Sequence, residues 1–314
     1  MRQSKTFQNA VTSSSFLLPV AAVLCLILWI LGNPTNQYAN WIGLVFCSIC
    51  TILMAELNKA YMLVRVRTYM IGTTFMILWS SCSFLQPFQA GHIVVLCLII
   101  CYHTLFYLYQ QQHSAGFTFL IFTCLGIASI MVQPLCFLIP VFFLALSYFR
   151  SLTFKSFLAG ILGFILPFWI LFTVYFLTDK LDLAIQYITD YSQFIPFQYN
   201  GLNPHHLIPL VLLSIIVIPS IIHFLQNSYQ DKIRVRMFYY FILWMQLLLT
   251  IGLFIFPNLF SEFYLLLAMN SSPLIAHFFT LTHHKATNIF FKVILLLIII
   301  FIVYDRWMLF TNFF

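Results

Sequence analysis

The chain is a succession of apolar runs divided by short polar interruptions. The runs fall at 16–32, 41–57, 68–84, 92–109, 115–131, 134–149, 156–177, 206–226, 238–256, 260–280 and 289–305. A helix needs roughly 20 residues, range about 17–25, to cross the hydrocarbon of a bilayer. Each run is near that length, several at its short end. None alternates with the period of two that a barrel strand requires. The pattern predicts an all-α, polytopic transmembrane helical bundle of about eleven spans, range 10–12, forming a single integral membrane domain over 1–314. The fifth and sixth runs are separated almost only by "VQP", so they also fit one kinked or re-entrant element.

Composition narrows the class. Hydrophobic residues make up 62% of the 314 and charged residues 7%, where a soluble domain carries about 25% charged. The mean hydropathy of +0.99 leaves no soluble domain of any size. Eight cysteines lie in or beside apolar runs and read as small packing hydrophobes. No disulfide framework, metal site or cofactor motif follows from the spacing of cysteines and histidines: HExxH, CxxCH and a phosphate-binding loop are all missing.

The net charge of +7 is dispersed over short loops, so it speaks of topology and not of nucleic acid. With the N-terminus inside, Arg2, Lys5, Lys59, Arg65, Arg67, Arg150, Lys155, Lys232, Arg234, Arg236 and Lys285 fall on the cytoplasmic side. Lys180 and Arg306 fall outside, with Asp179, Asp182, Asp190 and Asp305. The expectation is a multi-pass protein with a cytoplasmic N-terminus and a periplasmic C-terminus. The run at 16–32 reads as a retained first helix, since no small-residue cleavage site follows it.

The longest polar stretch, 178–206, is expected to be an outer-face loop. Within it Leu181, Ala184, Ile185 and Ile188 fall on one side, and Asp182, Gln186, Thr189, Asp190 and Gln193 on the other. That is the pattern of an amphipathic helix lying on the interface, and it would serve as a connector or as a lid. Asp182, Asp190, His205 and His206 are its candidate contributors to a site. Adjacent histidines cannot close a metal site alone, so no metal is assigned. In "SFLAGILGFILP", Ala159, Gly160 and Gly163 predict close helix packing, with a break at Pro167.

Two carboxylates fall within or at the edge of the expected spans, well away from that loop. Glu56 has Lys59 three residues on, a surface pair. Glu262 lies in "FPNLFSEFYLLLAMNSSPL" (256–274), in the first turn of a span, with Ser261 as the expected cap. Asn270 is on nearly the same face, about 12 Å deeper. Ser271, Ser272 and Pro273 then predict a midspan break. Glu262, Asn270, Ser271 and Ser272 are therefore candidates for one polar cleft; helix-start stabilisation and interhelical bonding explain the same residues.

The segments "NAVTSSSFLLP", "GHIVVLCLIICYHTLFYLYQQQHSAGFTFLIFTCLGIASIMVQPLCFLIP", "FRSLTFKSFLAGILGFILPFWI" and "FYLLLAMNSSPLIAHFF" carry a resemblance. The chain resembles a family of integral membrane proteins from Bacteroidetes, the DUF6427-like group. The resemblance implies an inner-membrane location and transfers no functional residue. Three functions fit. The first is a non-enzymatic protein that moves a solute or lipid or serves envelope assembly. The second is an envelope glycan or lipid transferase with an outward-facing site. The third is a structural partner in a membrane complex. The first outer loop, "GNPTNQYAN" (32–40), has no carboxylate, which counts against the transferase. Membrane lipids and other envelope membrane proteins are the expected partners.

Overall fold

The computed structural model describes residues 6–32, 37–111, 115–180, 182 and 204–311. Its helices are α1 (Phe7–Thr12), α2 (Leu17–Ile30), α3 (Gln37–Tyr61), α4 (Met70–Ser80), α5 (Ala90–Tyr107), α6 (Ala115–Met131), α7 (Leu138–Tyr148), α8 (Phe154–Leu177), α9 (Pro204–Asn227), α10 (Ile233–Ile255), α11 (Phe260–Leu281) and α12 (Lys285–Thr311). Each apolar run of the sequence becomes a helix. Among the described residues, seven are long and apolar enough to cross a membrane: α3, α5, α8, α9, α10, α11 and α12. The chain is thus an all-α, multi-span helical bundle with seven candidate spans. The runs carrying α2, α4, α6 and α7 give shorter apolar helices. The expected count of about eleven does not follow from length alone. The "VQP" junction is a 3-10 turn, Gln133–Phe137, between two separate helices.

The prolines do less than the sequence suggests. α8 runs on through Pro167, and α11 through Pro273. A proline inside a helix frees the carbonyl four residues back. For Pro273 that carbonyl is Met269's, and the Ser272 hydroxyl donates to it at 2.8 Å. The serine beside the proline supplies the lost donor, and the helix stays whole. Ser261 lies inside α11 instead of capping it; its hydroxyl donates to Glu262 Oε2 at 3.0 Å.

The chain divides into two compact units. The second comprises Ile93–Gly201 and Ile251–Glu262. In it α6 and α8 pack backbone to backbone. A Cβ placed on Gly163 would sit 2.4 Å from the Phe119 carbonyl oxygen, and one on Gly126 2.8 Å from that of Phe164. The small residues expected to allow close approach include Gly163.

The first unit comprises Met1–His92, Leu202–Thr250 and Phe263–Phe314. α11 is its buried centre: 94% of the residues in its apolar window are covered, against 17% for α12. Polar contacts gather at two ends. At the basic end the Thr68 hydroxyl donates to the Thr12 carbonyl at 2.8 Å. There too the Gln8 amide caps α11 by donating to the carbonyls of Phe279 and Thr282, at 2.7 and 2.9 Å. At the opposite end Trp29 Nε1 donates to the Asn40 carbonyl at 2.8 Å, and Ser83 N–H to Asp305 Oδ2 at 3.0 Å. Arg306, placed on the outer side by the charge pattern, is buried there and donates to Gln86 Oε1 at 3.1 Å. α2, α3 and α4 each run from one of these ends to the other. So α2 and α4 traverse the unit although each is short for a span.

Candidate functional site

The polar centre of the first unit forms at the basic end, from three pieces of chain. α3 ends where Met62 adopts a left-handed conformation, φ 50°. Asn58 then holds the loop that follows: its Oδ1 accepts from Val64 N–H at 3.1 Å, and its Nδ2 donates to the Thr68 carbonyl at 2.9 Å. This clamp presents Arg65. After α9, a 3-10 turn at Ser228–Gln230 delivers Asp231 in extended conformation. The third piece is α11, which carries His277.

Asp231 binds both partners. Arg65 Nε donates to Oδ1 at 2.6 Å, and His277 Nε2 lies 3.1 Å from Oδ2. The side chains of Asp231 and His277 are fully buried, whereas that of Arg65 is 38% exposed. Burial alone would raise the Asp231 pKa, but hydrogen bonds from His277 and Arg65 more than offset it and hold the carboxyl below its usual range. A carboxylate only accepts, so His277 Nε2 carries the proton of this bond. Around His277 stand Tyr239, with rings 5.1 Å apart, Phe224 at 5.5 Å and His223 at 5.6 Å. The buried Nδ1 atoms of His223 and His277 have no hydrogen-bond partner among the described residues.

His223 and Arg65 also line a cavity of about 550 Å³, with Gln226, Gln230, Thr282 and His284. That volume lies within the range of small-molecule sites. No Asp or Glu is among its lining residues. The arrangement can bind a polar molecule against Arg65 and His223. It can also move a proton between a carboxylate and an imidazole packed against them.

The residues singled out by sequence lie elsewhere. Asn270 is fully buried and donates to the Ile242 carbonyl at 2.9 Å and to Gln246 Oε1 at 2.8 Å. The hydroxyls of Ser271 and Ser272 donate to the carbonyls of Ala268 and Met269. Asn270 thus bonds across to α10, where an interhelical hydrogen bond contributes roughly 0.6–2 kcal/mol, whereas the two serine hydroxyls are bonded within α11. Glu262 is half-buried and belongs to the second unit, Asn270 to the first. Asp182 is exposed. The His206 ring packs on Phe84 at 4.9 Å. Asp190, the His205 side chain and most of the expected interfacial helix lie outside the described residues. The Glu56–Lys59 pair forms at 3.3 Å on the surface. Among the described residues, no group of three or more His, Cys, Asp or Glu side chains is placed to hold a metal.

Sequence reading passed over Asp231, His277 and His223. Two signals could have found them. His223 and His277 sit inside apolar runs, where an ionisable residue is costly and asks for a partner. Asp231 is the one acid in "QDKIRVR", an otherwise basic stretch. No family model, no curated protein and no solved structure matches the chain.

Asp231 sets an acid sensitivity. A carboxyl whose pKa is lowered by folding adds stability above its unfolded value, about 3.9. That contribution is lost as the pH falls through the lower folded value. Melting curves of detergent-solubilised protein between pH 7 and pH 3 should therefore fall more steeply for wild type than for Asp231→Asn. Parallel slopes would show that the ion pair contributes nothing.

Proposed function

We propose that the protein is a proton-linked carrier of a small polar solute, working at the cavity beside Asp231. One observation carries the reading: a buried Asp231–His277 pair stands behind a cavity of about 550 Å³ at the basic end of the bundle. Ionisable residues inside membrane helices are costly, and they mark solute paths and proton relays. A carrier needs a pocket with an ionisable group packed against it, and here the two coincide. The unpartnered Nδ1 of His277 lies on the ring that bonds Asp231, so a proton taken up there changes the charge behind Arg65 and couples proton uptake to what the cavity holds.

The carrier lies in a bacterial inner membrane, crossing eleven times, with the N-terminus inside and the C-terminus outside. The basic bias of the short loops supports the orientation. The passage of the short helices α2 and α4 between the two polar ends of their unit supports the count. The resemblance to the Bacteroidetes group supports the location.

Two measurements test this. The first concerns topology. Eleven crossings put five helices between positions 66 and 180, whereas seven crossings put only two there. In a cysteine-free background, Val66→Cys and Lys180→Cys should label from opposite faces of the membrane, position 66 from inside. Labelling from one face returns the count to seven. The second concerns transport. Proteoliposomes are incubated in a ¹³C-labelled cell extract under an imposed pH gradient, and their contents are read by mass spectrometry. At least one solute should accumulate above protein-free liposomes. With Asp231→Asn, at equal folded protein, its uptake should fall by roughly tenfold, the equivalent of about 1.4 kcal/mol. A wild-type profile indistinguishable from protein-free liposomes would defeat the carrier reading.

A further inference from the structure

We infer that the ligand of this cavity is an oxyanion, a phosphate or carboxylate group borne by a soluble molecule or by a lipid headgroup. The inference rests on the cavity's being the working site, and it adds the chemistry of what enters.

The charges at the site are arranged in depth. Asp231 is fully buried, and both of its oxygens are engaged, Oδ1 by Arg65 and Oδ2 by His277. It does not line the cavity. Arg65 lies in front of it, on the cavity wall and partly exposed. The guanidinium donates through Nε to Asp231, and through Nη1 to Gln230 Oε1 at 3.3 Å. Nη2 makes no hydrogen bond among the described residues, so a donor remains on a fork already fixed in orientation. A planar guanidinium held in this way is suited to a carboxylate or phosphate.

The rest of the wall supplies groups that can donate and no acid. His223 and His284 bring two imidazoles, and Gln226 an amide that can donate, with no acid among the lining residues to oppose them. A cation would meet a guanidinium and two imidazoles here. A neutral sugar would leave the remaining Arg65 donor without a charged acceptor. The cavity's lining residues Arg65, Gln230 and His284 lie within two positions of Arg67, Lys232 and Lys285, whose field favours the approach of anions.

The test uses full-length protein in phosphatidylcholine nanodiscs, read by thermal shift and calorimetry. The soluble probes are inorganic phosphate, succinate, glucose and choline; a second nanodisc contains phosphatidylglycerol. Phosphate, succinate or phosphatidylglycerol should raise the melting temperature, and glucose and choline should not. Stabilisation in phosphatidylcholine discs identifies a soluble anion, and stabilisation only with phosphatidylglycerol a headgroup. Arg65→Gln strips Asp231 of a partner and can unfold the chain, so Gln226→Glu is the decisive variant. It adds a carboxylate to an exposed part of the wall and leaves the buried pair intact. Anion affinity should drop by roughly tenfold in Gln226→Glu, through like-charge repulsion at close range. The inference is overturned if no anion stabilises the protein, if glucose or choline does so instead, or if Gln226→Glu binds the anion as wild type does. Uptake of a neutral solute without anion binding would overturn this inference and leave the carrier standing. Anion binding without uptake of any solute would do the reverse.

Discussion

A carboxylate withdrawn from water inside a membrane protein must find its counter-charge within the protein. Asp231 meets that requirement with Arg65 on one oxygen and His277 on the other. The three residues come from distant parts of the chain, a loop after α3, a turn after α9 and the last two turns of α11. Satisfying one buried charge therefore joins three segments. The cavity wall inherits its geometry from that junction, because Arg65 and His223 stand where the pair and its neighbours put them. Removing one partner would leave another buried and uncompensated, which costs far more than an exposed pair is worth.

The rest of the first unit supports this junction. α11 is covered along nearly its whole length, so His277 has a fixed seat among Phe224, Tyr239 and His223. Helix termini and loops near the site are tied by side-chain amides: Gln8 caps α11, and Asn58 clamps the loop that carries Arg65. A buried imidazole whose Nδ1 lacks a partner, next to a second one in the same condition, is costly as a packing element. It is intelligible as part of a site that exchanges protons and meets a ligand.

Much of the architecture was legible in the sequence, because apolar runs report helices directly in a lipid-embedded chain. Every run became a helix. Helix continuity was harder to read, since Pro167 and Pro273 look like breaks. Whether a proline breaks a helix depends on nearby donors such as Ser272, which a list of residues does not rank. The centre at Asp231 was not legible for a different reason. Asp231 looks like a loop residue among lysines and arginines, and its burial depends on Arg65, 166 positions away in sequence. His277 lies in "LIAHFFT", where the surrounding hydrophobes dominate the pattern. Glu262 and Asn270 drew attention because their helical spacing was local and visible. Asn270 proved to be bonded to α10, an ordinary use of a polar residue between helices.

The bond between Asp231 and His277 holds the centre together, and nitrogen NMR reads that bond without requiring any activity. In ¹⁵N-histidine-labelled protein in lipid at neutral pH, His277 should appear with its proton on Nε2, in a strong hydrogen bond. The assignment follows from loss of the signal in His277→Gln. In Asp231→Asn the Nε2 resonance should shift by several parts per million toward an ordinary imidazole, a difference well above the resolution of histidine ¹⁵N spectra in which the two ring nitrogens are distinct. A His277 protonated on Nδ1 in wild type, or one unmoved by Asp231→Asn, would contradict the account.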